Sequence, residues 1–299
     1  QDDVVNTPAN AFLPPRVGRE SASAFVQDEI ALRQDRLHLT LGTKLEHNDY
    51  TGFEVEPSGR LAWRPDVKHT VWAAISRAVR TPSRIDRDLF SPATPPYRIA
   101  GGQKVVSEKL IAYELGYRVQ LEPRFALSLA TFVNEYDDLR SLEPLSPPQA
   151  FPAAASSGLR GRSSGAELTA EWQVAPAWRV RGGWTELRVR SEPQPGNADR
   201  ATRDSIARDP NHQLSLRSSI DLSAKWECDA ALRYVAPINN QSVPGYTEAD
   251  LRLGWRPVPG WELSLLGQNL LHARHPEFNS PGTRRELQRE VYGKASWRF

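Results

Sequence analysis

Apolar residues recur at every second position along most of this chain. Leu37, Leu39, Leu41, Thr43 and Leu45 alternate with His38, Thr40, Gly42, Lys44 and Glu46. Ile111, Tyr113, Leu115, Tyr117, Val119 and Leu121 alternate with Ala112, Glu114, Gly116, Arg118 and Gln120. A period of two gives a β-strand one apolar and one polar face. Many of the runs reach about ten residues, the length that crosses a bilayer at a tilt, whereas soluble strands average about five or six. We therefore expect an all-β chain, an antiparallel transmembrane β-barrel with its apolar face on lipid and its polar face on the lumen.

The alternation places strands at 21–32, 36–47, 53–63, 70–79, 108–121, 124–136, 166–174, 178–189, 213–222, 226–236, 247–255, 261–270 and 288–299. That is a partial barrel of about thirteen strands, an odd number where intact bacterial barrels have even ones. The links alternate strictly between two kinds. Gln34-Asp35, 65–68, Glu122-Pro123, 175–177, 223–225 and 257–260 are short. The links 80–107, 137–164, 190–211 and 271–287 are long and rich in Pro, Gly, Arg and Asp, with shorter links near Asn48-Asp49 and 237–245 on the same side. Tight periplasmic turns facing large external loops are the asymmetry of outer-membrane barrels.

Tryptophans mark the same side. Trp63, Trp178, Trp226, Trp255 and Trp261 lie within a residue or two of short turns, and Trp297 sits just inside the C-terminus. An indole, apolar with one N–H donor, favours the lipid–water boundary. Tyr136, Tyr234 and Tyr246 near the opposite strand ends suggest a second belt. Arg179, Arg181, Arg217, Asp221, Glu227, Asp229, Arg233, Asp250, Arg252, Lys294 and Arg298 fall on the lumen face, where opposite charges on neighbouring strands can pair.

Composition narrows the function. A hydrophobic fraction of 39% with no apolar run of helix-spanning length leaves no transmembrane helix. A net charge of +2 argues against a nucleic-acid partner. The single cysteine, Cys228, falls on the apolar face, where a thiol is inert. The chain holds no methionine and opens on no signal peptide, so a processed or partial chain is expected.

The C-terminal stretch carries a resemblance. Val291, Gly293, Ala295, Trp297 and Phe299 alternate to a terminal aromatic, like the assembly signal of outer-membrane barrels. GQNLLHARHPEF (267–278) followed by PGTRRELQREVYGKASWRF (281–299) resembles the last hairpin of TonB-dependent outer-membrane receptors, in which a GxNL segment leads to a PGR-like turn. Here Thr283 stands between Gly282 and Arg284. SRAVRTPSRIDRDLF (76–90), SEKLIAYELGYRV (107–119) and ATFVNEYDDLRSL (130–142) resemble successive strands of the same family.

The resemblance implies a 22-stranded barrel around a plug domain that engages TonB. On that reading residues 1–19 are the end of an external loop, and 20–299 are the C-terminal part of the barrel, without the plug. It further implies import of a ferric siderophore or similar metal chelate, or of cobalamin, across the bacterial outer membrane. Outer-membrane lipid and lipopolysaccharide would surround the wall, TonB would act through the plug, and no resident cofactor is implied.

Cargo contacts are expected at the external mouth: Arg80, Arg84, Arg87 and Tyr97 in one long loop, Arg140, Arg160 and Arg162 flanking the next. Guanidinium groups suit anionic chelates because they are permanently charged and bond oxygens in pairs. A passive porin is the alternative. An enzyme is not expected, because no serine or aspartate is placed to work with His212 or with the His272/His275 pair.

Overall fold

A computed structural model describes residues 2–146, 149–197, 199, 202, 206 and 208–298. Thirteen long strands follow one another as antiparallel neighbours in chain order. They are β1 (Ser21–Arg33), β2 (Leu37–Asn48), β3 (Gly52–Trp63), β4 (His69–Arg80), β5 (Glu108–Glu122), β6 (Phe125–Pro144) and β7 (Ala153–Ala175). β8 (Trp178–Pro193), β9 (His212–Asp221), β10 (Trp226–Val235), β11 (Tyr246–Trp255), β12 (Trp261–Gln268) and β13 (Glu290–Trp297) complete the path. A fourteenth, two-residue strand, Ile99–Ala100, pairs in parallel with the start of β7. Helical structure is found in the turn α1 (Arg84–Arg87), in a 3-10 turn at Asn239–Gln241, and at Thr202 and Ile206 in the link after β8.

Register shows that the alternation is a true inside and outside. Cross-strand partners share a face, and Leu39 pairs with Leu61, Leu115 with Ala73, Leu129 with Leu168, and Leu216 with Leu232. On the opposite face sit the charges. Arg252 bonds Asp229 at 2.9 Å and also pairs with Glu227 and Glu262. Arg181 meets Glu171 at 2.9 Å, and Arg233 reaches Glu277 at 3.0 Å. The lumen wall is thus cross-linked by ion pairs, while the outer face presents exposed leucines, as lipid contact requires.

The short turns are built by local hydrogen bonding. Asp66 Oδ1 accepts from the backbone N–H groups of Lys68 and His69 at 2.8 and 3.0 Å. Ser223 Oγ does the same for Lys225 and Trp226, both at 3.2 Å. Gly260, at φ +82°, closes the β11–β12 turn, and a Cβ there would stand 2.7 Å from the carbonyl oxygen of Arg298. Beside these turns the outward tryptophans form the belt. Trp226 stacks on Trp255 at 5.5 Å, and Trp261 on Trp297 at 6.0 Å. The last strand ends at Trp297, and Phe299 lies outside the described residues.

Two expectations need correction. The stretch 137–164 is not one long loop. β6 and β7 run on as a hairpin past the membrane, and Leu142–Ala155 and Pro144–Ala153 are still paired. Above the lipid neither face of a strand must be apolar, so the alternation that marks a strand disappears there. The upper tyrosine belt is also revised. Tyr136 turns inward, its hydroxyl 3.4 Å from Ser163 Oγ. Tyr246 packs on His275 at a ring separation of 4.5 Å. Tyr234 does face outward, in a row with Leu214 and Trp184, and those two aromatics mark the upper boundary.

Close packing is concentrated at the external end rather than within the wall. Ala11, Val105, Ala153, Ala154, Ala155 and Leu159 are buried together with the loop between β4 and β5. Gly102 permits this approach, because a Cβ would lie 2.4 Å from the carbonyl oxygens of both Asp86 and Ala155.

Candidate functional site

The link between β4 and β5 rises as a packed platform over the external rim. α1 opens it, and Asp86 ties it down. The N–H and hydroxyl of Ser83 both donate to Asp86 Oδ2, at 2.9 and 2.8 Å. Arg140 Nε lies 2.7 Å from Asp86 Oδ1, and Arg80 Nη1 lies 3.6 Å from Oδ2. Arg80 also forks onto Glu108 at 2.7 and 2.8 Å, and Glu108 accepts the backbone N–H of Arg140 at 2.9 Å. Two cations and two anions therefore join the loop to β4, β5 and β6. Burial pushes the Asp86 carboxyl up. The Ser83 hydrogen bonds with the Arg140 and Arg80 charges outweigh it and hold the group below the usual carboxylate range.

Arg84 and Arg87 clamp neighbouring chain segments. Arg84 is buried, pairs with Asp88 at 3.0 Å, and donates to the carbonyls of Pro14 and Pro15. Its guanidinium lies 5.2 Å from the Phe12 ring. Ala11–Phe12 in turn pairs with Leu89–Phe90 in the platform. Arg87 donates to the carbonyls of Tyr50, at 2.7 Å, and Gln103. Tyr97 packs on Phe90 at 5.0 Å.

Beside the platform a cavity of about 570 Å³ opens on the lumen side of β5–β8. Phe132, Tyr136, Leu139, Leu187 and Val189 line it, with Arg140 at one margin. Glu108 and Asp209 also border it, so the pocket is aromatic and aliphatic with a guanidinium and two carboxylates at its margin.

Arg160 and Arg162 stand elsewhere. Arg162 pairs across the sheet with Glu135 and Arg190, and Glu135 with the lipid-facing Ile111. Both arginines therefore lie on the outer surface of the wall, and Arg160 Nε bonds Glu192 at 2.8 Å. The seven residues singled out in the sequence thus fall into three places: a network around Asp86 and Glu108, a structural clamp, and the outer wall. The carboxylates that organise the network, Asp86, Asp88 and Glu108, were missed. Two acids within three residues of the arginines in the same loop were the available signal.

The His272/His275 pair brackets one carboxylate. Glu248, fully buried, lies 2.7 Å from His272 Nδ1 and 3.2 Å from His275 Nδ1. It also accepts the N–H of Leu271 at 3.1 Å. His275 Nε2 reaches Glu277 at 2.9 Å. Burial pushes Glu277 up, and hydrogen bonds from His275, Tyr246 and Arg233 outweigh it, holding the carboxyl below its ordinary range. This cluster fastens the last long loop to β11. His212 is held in the same manner, on Glu186.

Residues 1–270 match the family model described as TonB dependent receptor-like, beta-barrel. No curated protein sequence matches the chain. Solved structures do resemble it. The siderophore receptor PirA from Acinetobacter baumannii superposes with a TM-score of 0.76 at 13% identity, over 94% of this chain and 46% of that one. A variant of the ferric enterobactin receptor from Pseudomonas aeruginosa gives 0.74 at 18%, over 94% and 45%. The FrpB iron transporter from Neisseria meningitidis gives 0.75 at 14%, over 94% and 45%. The chain thus spans just under half the length of each, and at such identities the likeness is one of fold.

Proposed function

The chain belongs to the TonB-dependent receptor family through its β-barrel, and from that premise we propose that it forms wall and external mouth of an outer-membrane importer of a ferric siderophore or similar metal chelate. Energy would reach the barrel from TonB through a plug domain in the lumen. Residues 1–19 act as an external-loop segment and 20–299 as barrel. The work is binding and passage, without covalent chemistry.

The observation that carries this reading is the lumen-side pocket at the mouth, aromatic and aliphatic with Arg140 at its edge. An anionic chelate with aromatic arms would stack on Phe132 and Tyr136 and bond its oxygens to Arg140. Arg80, half exposed beside Arg140, is paired with Glu108 and Asp86 and fixes that margin of the pocket. Tyr97 lies on the platform above. Arg84 and Arg87 support the platform. Siderophore or iron transport named for the three structural relatives favours this cargo over cobalamin.

The test is uptake of a panel of iron-loaded siderophores, and of cobalamin, by cells carrying the intact protein. Energised, saturable uptake of one chelate is expected, lost when the proton gradient is collapsed. Arg140→Ala should weaken binding of that chelate by roughly tenfold or more, the worth of a charge-assisted hydrogen bond. Uptake that survives collapse of the gradient and scales linearly with concentration would identify a passive porin instead.

A further inference from the structure

One junction of the wall is unpaired in its external half. β3 stays paired with β2 as far as Gly52, and β4 with β5 as far as Arg80. Among the described residues β3 and β4 pair with each other only from Trp63–Val71 up to Ser58–Ser76. Above that level both strands run on without a ladder between them. Continuing the register would set Pro57 opposite Arg77 and Val55 opposite Val79. Proline has no N–H to give, so the ladder stops where a donor is missing. The loops above rejoin the two sides. Ser107 Oγ lies 3.1 Å from Thr51 Oγ1, and Tyr50 donates its hydroxyl to Asp88 Oδ2 at 3.1 Å. The result is a slit in the wall, closed above and below and flanked by two strand edges.

Side chains bridge the slit. The Arg77 guanidinium donates to the carbonyl of Val55 and lies 3.5 Å from Glu54. The backbone N–H of Val79 donates to Glu56 Oε2 at 3.3 Å, and Lys44 donates to Oε1 of the same carboxylate at 3.1 Å. The Glu54 and Glu56 side chains are only 11% and 14% exposed, so both carboxylates are largely withdrawn from water. On the lipid side the slit is edged by Phe53, Val55, Pro57 and Ile75, and on the lumen side by Lys44, Glu54 and Glu56. Backbone groups are costly to leave unpaired in hydrocarbon, so a continuous ladder does not part there. Here the closing bonds come from side chains, which can turn to lumen water instead.

We propose that this slit is a latched lateral gate: β3 and β4 part in the external half of the wall and admit the alkyl chain of an amphiphilic cargo, whose polar head stays at the lumen mouth. The proposal rests on the reading of the chain as the wall of an outer-membrane importer. The two flanks of the slit set the class of molecule. Phe53, Val55 and Ile75, exposed on the outer face, match an alkyl chain, as does the hydrocarbon beyond them. Lys44, Glu54 and Glu56 match a hydroxylated or charged head on the lumen side. Parting requires Arg77 to leave Val55 and Glu54, and Val79 to leave Glu56. Lys44 can remain on Glu56 throughout, so that carboxylate is never stripped of its cation.

The test uses the intact protein in bilayer nanodiscs, with Cys228→Ser so that labels sit only where they are placed. Paired nitroxides at Val55→Cys and Val79→Cys, whose side chains take no part in the latch, report the slit. A pair at Leu61→Cys and Ala73→Cys reports the paired wall below it. A second, longer distance is expected at 55/79 and not at 61/73. Glu56→Ala/Arg77→Ala should raise its share relative to the closed form at least about tenfold, the worth of a hydrogen bond to a charged group. A brominated stearic acid dissolved in the bilayer is the alkyl probe. It should quench bimane at Ser76→Cys, lumen-facing at the foot of the slit, more strongly than bimane at Ala130→Cys, lumen-facing on the paired β6. A single distance at 55/79 that the latch variant leaves unchanged overturns the proposal. So does a lengthened distance with equal quenching at the two lumen positions, because the slit would then flex without admitting a chain. Heat-modifiable migration checks that each variant folds. A double variant that does not is replaced by Arg77→Lys, which keeps the charge and loses the forked donor, and its outcomes are read in the same way. Absence of energised uptake in cells, with both label results as expected, would strike the importer reading and leave the gate standing.

Discussion

Asp86 is the residue on which the external platform turns. Its carboxylate collects Ser83, Arg80 and Arg140, three groups from both sides of the loop and from β6. Asp86→Asn keeps the shape and removes the charge, so it should loosen the platform by roughly 1–3 kcal/mol. Hydrogen exchange across 81–107 in the intact protein would show faster exchange there and no change in β9–β12; unchanged protection would refute the assignment. The pH dependence has a definite sign. Asp86 titrates below its unfolded value, so its contribution is complete above about pH 4 and is lost as pH falls through the lower folded value. Platform protection should therefore hold at pH 5 and fall in more acidic buffer. The sequence made the arginines legible, because a cation in a long loop stands out. It hid their partners, because the Asp86–Arg140 pairing joins the β4–β5 link to β6 and only the fold brings them together.

At the scale of elements, legibility follows the membrane. Within the lipid each strand must show one apolar face, and all thirteen strands were placed from that alternation, eleven of them with ends good to a few residues. β6 and β7 were cut short because, apart from the buried Leu159, Ser, Gly and Arg fill 156–164 on both faces once lipid no longer constrains them. The short turns obey tighter rules. Gly260 has a positive φ, and its missing Cβ makes room for the carbonyl of Arg298 beside the final strand. Gly260→Ala should cost about 1–2 kcal/mol, through the left-handed backbone and the clash together. A lower urea midpoint for the folded, heat-modifiable form is the expected reading, while an unchanged midpoint would mean that the turn relaxes freely. The lumen pocket was not legible as a unit, since Phe132 and Leu187 look like ordinary strand positions until β6, β7 and β8 align them.

For the whole molecule the decisive quantity is the edge. β1 spans 13 residues and β13 spans 8, and among the described residues each is paired on one side only. In an antiparallel ladder about half the backbone polar groups of an edge strand point away from its partner. In hydrocarbon each unpaired group costs several kcal/mol, so the two edges together carry a penalty on the order of tens of kcal/mol. The ion pairs across the lumen wall are worth far less, about 1 kcal/mol each where they are open to water. They cannot offset it. Residues 1–299 expressed alone and refolded in detergent should therefore not yield a monomer with heat-modifiable migration and dispersed amide resonances. Supplied with strands that pair with β1 and β13, the same residues should acquire both, along with protease resistance of the wall. A well-folded monomer from this chain alone would mean that β1 and β13 meet and close a thirteen-stranded barrel. The stagger of the sheet would then have to be redrawn.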